Sequence, residues 1–314
     1  MLESILISTK VVFPLIVFMG LGGLIRKLSM VSQSTIKEMN QVVFKVLLST
    51  MVFYNIYKAD LKHDFDGRLL LYAAISVILM VGVLVFLIPR FIEDKTISSV
   101  LIQGIYRSNF VLFGLQVTAS ICGSDNLGMT TILISVIIPM YNVIAVILFE
   151  TFRREKINVK NLVKGILTNP LIIASVLGLL SLGLKLNFGA MVDDTLKSIA
   201  QMATPMSLIL LGGTVTVSGI KKYWKYTLAA SVGRLVIVPA IFLSVAVMLG
   251  IRGIGLVALM VMYGSPTAVA SFPMASQMGG NGELAGQIVA VTTVLSVVTV
   301  FIWTYVLSFY GFIM

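Results

Sequence analysis

Acidic side chains are scarce in this chain. Thirteen Asp and Glu stand against 23 Lys and Arg in 314 residues, and no acid lies at the centre of an apolar run. Glu150 and Glu283 fall at run ends and Asp125 in a loop. Ionisable groups at membrane depth mark ion pathways, so this scarcity argues against a carboxylate proton relay or an acidic cation site. The single cysteine, Cys122, excludes an internal disulfide, and the lone histidine, His63, sits beside Asp64 in a polar loop. HExxH, GxSxG and the Walker A lysine loop are all missing, which leaves no support for an intramembrane hydrolase or an ATP-driven pump. No catalytic residue or metal site is assigned, and no cofactor is expected.

What is abundant is apolar. Hydrophobic residues make up 58% of the chain and charged residues 11%, against roughly a quarter charged in soluble domains. Apolar runs long enough to span a bilayer fall at 5–25, 38–57, 69–89, 97–121, 130–150, 163–184, 199–219, 227–249, 254–279 and 286–311. The connections are short, leaving no room for a soluble domain. The chain opens with Glu3 rather than basic residues, so the first run is expected to stay as a span and not to be a cleaved signal.

The net charge of +10 is not a nucleic-acid footprint, because no polar segment carries a basic stripe with interleaved aromatics. With the N-terminus outside, inner connections hold thirteen Lys and Arg and outer ones six, as the positive-inside rule requires. Both termini are then outside. Four cations, Lys10, Lys45, Arg107 and Arg234, fall inside apolar runs.

Internal similarity organises the rest. Pro14, Leu15, Ile16 and Gly22 recur as Pro170, Leu171, Ile172 and Gly178 at a spacing of 156, where Ser49 also falls opposite Pro205. Ser108–Gly123 lies opposite Ser265–Gly280 at a spacing of 157, with Gln116 against Pro273. An odd number of crossings per unit reverses the next unit. The expected fold is therefore an all-α integral membrane protein of ten transmembrane helices in a 5+5 inverted repeat. Residues 1–152 form the first repeat, 153–164 a basic cytoplasmic connection, and 165–314 the second, inverted repeat. Such folds cross one interrupted helix from each half near the midplane, here the fourth and ninth runs.

The ninth run carries the strongest local signal, YGSPTAVASFPMASQMGGNGELAG at 263–286. Pro266 and Pro273 each remove a backbone donor, and such breaks persist in hydrocarbon only where protein or water meets the freed groups. Ser265, Thr267 and Ser271 stand beside them, able either to line a cavity or merely to relieve the kink. In the fourth run, Arg107 and Asn109 are candidate donors for an anion. Arg107 could instead pair with a freed carbonyl or snorkel to the inner surface. Lys45 has the same ambiguity, and Arg234 reads first as a structural partner. Met260, Met262 and Met274 read as gap-fillers, and Tyr141 and Asn142 as packing or hydrogen-bonding residues. Buried cations without buried acids point to a small organic anion as substrate. The candidate substrate site is Asn109, Arg107, Gln116, Ser265, Pro266, Thr267, Ser271 and Pro273, with Lys45.

SNFVLFGLQ in the fourth run, IPMYN in the fifth and SPTAVASFPMASQMGGNGELA in the ninth resemble the auxin efflux carrier family, which includes plant PIN-FORMED carriers and bacterial malate permeases. The resemblance spans nearly the whole chain. It implies the fold of the bile acid sodium symporters, elevator-like movement of a transport bundle of helices 3–5 and 8–10, and a scaffold of helices 1, 2, 6 and 7 that also forms a homodimer. It further implies a multi-pass protein of the bacterial inner membrane exporting carboxylates or auxin-like acids as a uniporter, with Asn109 at the fourth-helix crossing. A proline usual in the family's fourth helix falls at Gln116, and one usual in its second falls at Ser49. Two other functions stay open: a sodium- or proton-coupled symporter of the bile acid type, and a non-transporting receptor or scaffold subunit.

Overall fold

The computed structural model describes residues 2–58, 66–123, 126–153, 159–215 and 217–313. Described residues are helical or in short connections, and four helices are long and apolar enough to cross a membrane: Gly67–Phe91, Gly128–Phe152, Gly219–Met248 and Gly282–Phe309. His63, Asp64 and Asp125 lie outside the described residues.

In their described residues, the ten apolar runs are mainly helical. The first is α1 (Leu2–Lys27). The second is continuous through α2 (Gln33–Val42), a π turn at Val43–Leu48 and α3 (Ser49–Tyr57). After α4 (Gly67–Phe91), the fourth run splits into α5 (Lys95–Tyr106) and α6 (Phe110–Cys122). Next come α7 (Gly128–Phe152), then α8 (Val159–Leu167) and α9 (Pro170–Gly183), divided at Asn169, and then α10 (Ala190–Thr214). The eighth run joins α11 (Val217–Val232) to α12 (Val238–Met248) through a second π turn, Gly233–Ile237. The ninth splits into α13 (Gly253–Gly264) and α14 (Ser271–Gln277), and α15 (Gly282–Phe309) closes the chain. Residues 154–158 of the basic connection are outside the described residues, and α8 begins inside its second half.

Proline does not decide the breaks alone. Pro14, Pro89, Pro139 and Pro205 all sit within helices that continue past them. Pro273, expected to interrupt the ninth helix together with Pro266, occupies the first turn of α14, where no intrahelical donor is needed. The ninth helix breaks at Ser265–Ala270, around Pro266 only. The fourth breaks at Arg107–Asn109 with no proline present, and α6 runs straight through Gln116.

Two helix pairs pack at backbone distance. A Cβ on Gly22 of α1 would overlap the carbonyl oxygen of Ile209, and one on Gly212 of α10 would overlap that of Met19. Arg26 adds donations to the carbonyls of Gly213 (3.0 Å) and Thr214 (3.3 Å). The α3·α9 pair is nearly as close, since a Cβ at Gly178 would reach Ile56 Cβ at 2.9 Å. Beyond these pairs, α13 packs on α6 and α12, and α15 on α1, α5, α11 and α14.

Asp94 starts α5 as its N-cap, accepting from the amides of Thr96 (2.8 Å) and Ile97 (3.4 Å). The Thr96 hydroxyl also donates to this carboxylate at 2.7 Å and holds it below the usual carboxylate range. A depressed carboxyl contributes stability above its unfolded value of about 3.9 and loses it as pH falls through the folded value. Asp94→Ala is expected to cost about 1 kcal/mol near pH 7, a typical cap loss. The gap to the parent in melting midpoint should narrow once the buffer is acid enough to protonate Asp94. An equal gap at all pH values would show that the carboxylate is not the cap.

Candidate functional site

The two broken helices meet backbone to backbone. Ser108 and Thr267 form an isolated antiparallel bridge. The Asn109 amide donates to the Pro266 carbonyl at 2.9 Å, and the Ala268 amide to the Arg107 carbonyl at 3.0 Å. The bridge accounts for the break in the proline-free fourth helix. Groups that lose intrahelical partners at Arg107–Asn109 find them across the crossing, so the break costs little in unmet hydrogen bonds.

Side chains add further hydrogen bonds at the break. Thr267 Oγ1 donates to the Gly104 carbonyl at 2.6 Å and its amide to Thr292 Oγ1 at 3.2 Å, while Ser265 Oγ donates to the Val261 carbonyl at 2.6 Å. Thr267 therefore binds the frayed end of α5 with its hydroxyl, a kink-relieving role, while Ser265 back-bonds to a carbonyl that its own amide already reaches at 3.1 Å. Pro266 is buried and offers only its carbonyl to the crossing.

Arg107 is the C-cap of α5 and is 5% exposed. Its guanidinium donates to Asn142 Oδ1 at 2.6 Å and to the Met274 sulfur at 2.9 Å. Met274, read from sequence as a gap-filler, is thus an acceptor. Neither acceptor is charged, so an arginine that costs from about 2.5 kcal/mol upward at membrane depth sits here without a carboxylate. Three residues that share its cavity carry polar atoms with donor capacity that are buried without partners, Asn109 Nδ2, Asn142 Nδ2 and Ser108 Oγ, and the hydroxyls of Tyr141 and Ser271 are buried without partners off the cavity.

Arg107, Ser108, Asn109 and Asn142 open on a narrow cavity of about 60 Å³, room for about four waters at 10–15 Å³ each. One wall is the crossing, with Ala268–Ala270 and Val111 in the first turn of α6. The other comes from Met51, Val52 and Asn55 of α3 and Thr204 and Ser207 of α10. No acid lines it. Asn55, Thr204 and Ser207 were not singled out from the sequence, because single polar residues in apolar helices carry no label saying which face they occupy.

Of the nine expected site residues, only Arg107 and Asn109 line this cavity. Gln116 is exposed on α6, two turns beyond the crossing, because the unbroken helix carries it away. Lys45 is exposed on the π turn of the second helix, lining a surface groove with Ser49, Thr50 and Pro170. Ser271 and Pro273 are buried in α14 and are not among the lining residues. Arg234, read first as a structural partner, donates to four backbone carbonyls at the crossing: Ser265 (2.8 Å), Met262 (2.7 Å), Ile105 (3.1 Å) and Tyr106 (3.3 Å). Among the described residues, no cluster of three or more His, Cys, Asp or Glu could hold a metal ion.

A broken-helix crossing beside a buried, donor-rich cavity is an arrangement for holding a solute inside a membrane. The chain is 24% identical over 303 residues to an uncharacterized transporter of Methanothermobacter thermautotrophicus, covering 96% of this chain and 98% of the relative. It is 20% identical over 317 residues to an uncharacterized transporter of Methanocaldococcus jannaschii, covering 96% and 99%. The profile of the family described as membrane transport protein matches residues 7–304, and the chain belongs to that family, the family of the auxin efflux carriers.

Proposed function

We propose that this membrane transporter is a secondary carrier for small organic anions, mono- or dicarboxylates, bound at the crossing between Arg107, Asn109 and Asn142. One observation carries the reading: a buried guanidinium whose acceptors are an amide oxygen and a thioether, surrounded by unpartnered donors and no acid. A carboxylate supplies the charge and the lone pairs that these groups lack. The positive end of the α6 dipole adds to the attraction.

Movement follows from where the cavity lies. Its walls belong to two groups of helices, and at about 60 Å³ it is too small for a carboxylate substrate to enter as it stands. A bundle carrying the crossing slides against a scaffold of α1, α2–α3, α9 and α10, widening the gap on alternate sides. The backbone-close α1·α10 and α3·α9 pairs support a rigid scaffold. They also match each other under a 5+5 inverted repeat, since each joins the first helix of one half to the second of the other. The scaffold pairs as a homodimer, and both termini face outward.

Export needs no coupling ion. One negative charge leaving across 100 mV releases about 2.3 kcal/mol, close to a fiftyfold concentration ratio. In proteoliposomes, uptake of labelled carboxylates is expected to rise with an inside-positive potential and vanish with an inside-negative one. Uptake indifferent to the potential would rule out the uniport reading, and uptake that stops when sodium is replaced by choline would favour the symporter.

A further inference from the structure

The mechanism above leaves Arg234 unused, although it is the largest fully buried side chain in the described structure and is 0% exposed. It projects from the π turn Gly233–Ile237, a local widening of the helix of the kind found at functional positions. At Gly233 an added Cβ would meet the Ile105 side chain at 3.2 Å, so the bare backbone there lets α5 come close.

The four carbonyls that receive Arg234 have a common origin. Ile105 and Tyr106 end α5, while Met262 and Ser265 end α13 and begin its break. The last carbonyls of a helix have no intrahelical partner and carry the negative end of its dipole. Two such ends converge here. Elsewhere, unwound carbonyls and half-helix C-termini of this kind coordinate a coupling cation. In this chain four of the five guanidinium N–H groups occupy them, and none of the four acceptors is an acid. At a spacing of 157, the position matching Arg234 in the first half is Val77, so one half alone supplies the charge.

We propose that Arg234 is a resident counter-cation, covalently held where a coupling ion would sit, and that the carrier therefore turns over without sodium or any other dissolved cation. The guanidinium neutralises the two negative helix ends, so the field left in the neighbouring cavity is the positive one of Arg107 and the α6 N-terminus. Arg234 is thus a positioning residue: it holds the two half-helices together and sets the sign of charge that the cavity accepts. The transport part rests on the anion-carrier reading. The cation-cage part does not.

The test compares wild type, Arg234→Ala and Arg234→Lys, purified in choline chloride, by melting midpoint with about 20 mM guanidinium, sodium or potassium added. Wild type is expected to be indifferent to all three. The alanine variant should melt lower in choline and regain at least about 3 °C with guanidinium or sodium, because a cation bound only to the folded cage stabilises by mass action. The lysine variant keeps a tethered charge and should be indifferent too, with sodium-independent flux. Sodium stabilisation of the wild type, an ion-indifferent alanine variant, or a lysine variant that responds to sodium as alanine does would each overturn the proposal. If Arg234→Ala cannot be purified, wild type and Arg234→Lys decide by the same readings. Lack of flux by the wild type with every anion tried would count against the carrier reading and leave the melting comparison intact.

Discussion

Arg107→Gln is expected to cut carboxylate flux at least about thirtyfold while the purified protein melts within a few degrees of the parent. A hydrogen bond to a charged group contributes about 1.5–3 kcal/mol, and tenfold in affinity corresponds to about 1.4 kcal/mol, so losing ~2 kcal/mol gives that factor. Glutamine keeps the apolar stem but ends two bonds short of the Nη2 that reaches Asn142 Oδ1, so the variant removes the charge together with that donation while leaving an amide at the site. Asn109→Ala should reduce flux in the same direction, since Asn109 Nδ2 is a buried donor that has no partner within the protein. Gln116→Ala is the control. It sits exposed on α6 away from the cavity, and its flux should stay within about twofold of wild type, as surface changes shift energies by roughly 0.5 kcal/mol or less. Full flux per folded molecule in Arg107→Gln would remove the anion site from the crossing. A large melting loss without a flux loss would make Arg107 a structural residue only.

The largest stability effect is expected at the α1·α10 contact. Gly212→Val places two methyl groups where the Met19 carbonyl lies, and a valine at Gly22 would meet the Ile209 carbonyl in the same way. Overpacking of a filled interior costs about 1–3 kcal/mol and occasionally more. Here the obstacle is backbone in both cases, so no side chain can rotate aside, and ~3 kcal/mol or loss of the folded protein is expected. Gly23→Val, one residue along, faces open space apart from the Gly212 carbonyl at 3.8 Å and should be mild. The check is the melting midpoint and yield of monodisperse protein in detergent. Equal behaviour of the Gly23 and Gly212 variants would mean that the two helices do not approach as closely as described.

The interruption of the ninth helix could be read one-dimensionally, because Pro266 cannot donate and the apolar run on either side has no polar alternative. In their described residues the apolar runs proved mainly helical for an equally local reason: a backbone in hydrocarbon must meet its own hydrogen bonds. The fourth helix gave no such local signal, and its interruption was expected only through its repeat match to the ninth. Its break contains no proline and exists because Asn109 and Ala268 trade amides with Pro266 and Arg107 across a separation of some 157 residues. Pro273 misled in the opposite sense, since its harmless place in the first turn of α14 depends on where the break begins.

Gln116 and Lys45 entered the expected site by repeat matching and by charge, and both lie on exposed faces. Neither signal says which way a side chain points. Asn55, Thr204 and Ser207 were passed over for the converse reason, although they line the cavity wall opposite the crossing.

The sequence by itself determined the solvent of this protein, the sign of charge it keeps at depth and the weak point of its ninth helix, because each is a property of local composition. Tertiary structure alone decided what the buried arginines do. Arg107 and Arg234 are alike as letters in an apolar run. One faces a cavity with uncharged acceptors, and the other is enclosed by four carbonyls from two helix ends. A guanidinium takes its role from whatever oxygen atoms the fold brings to it, and those come from distant parts of the chain.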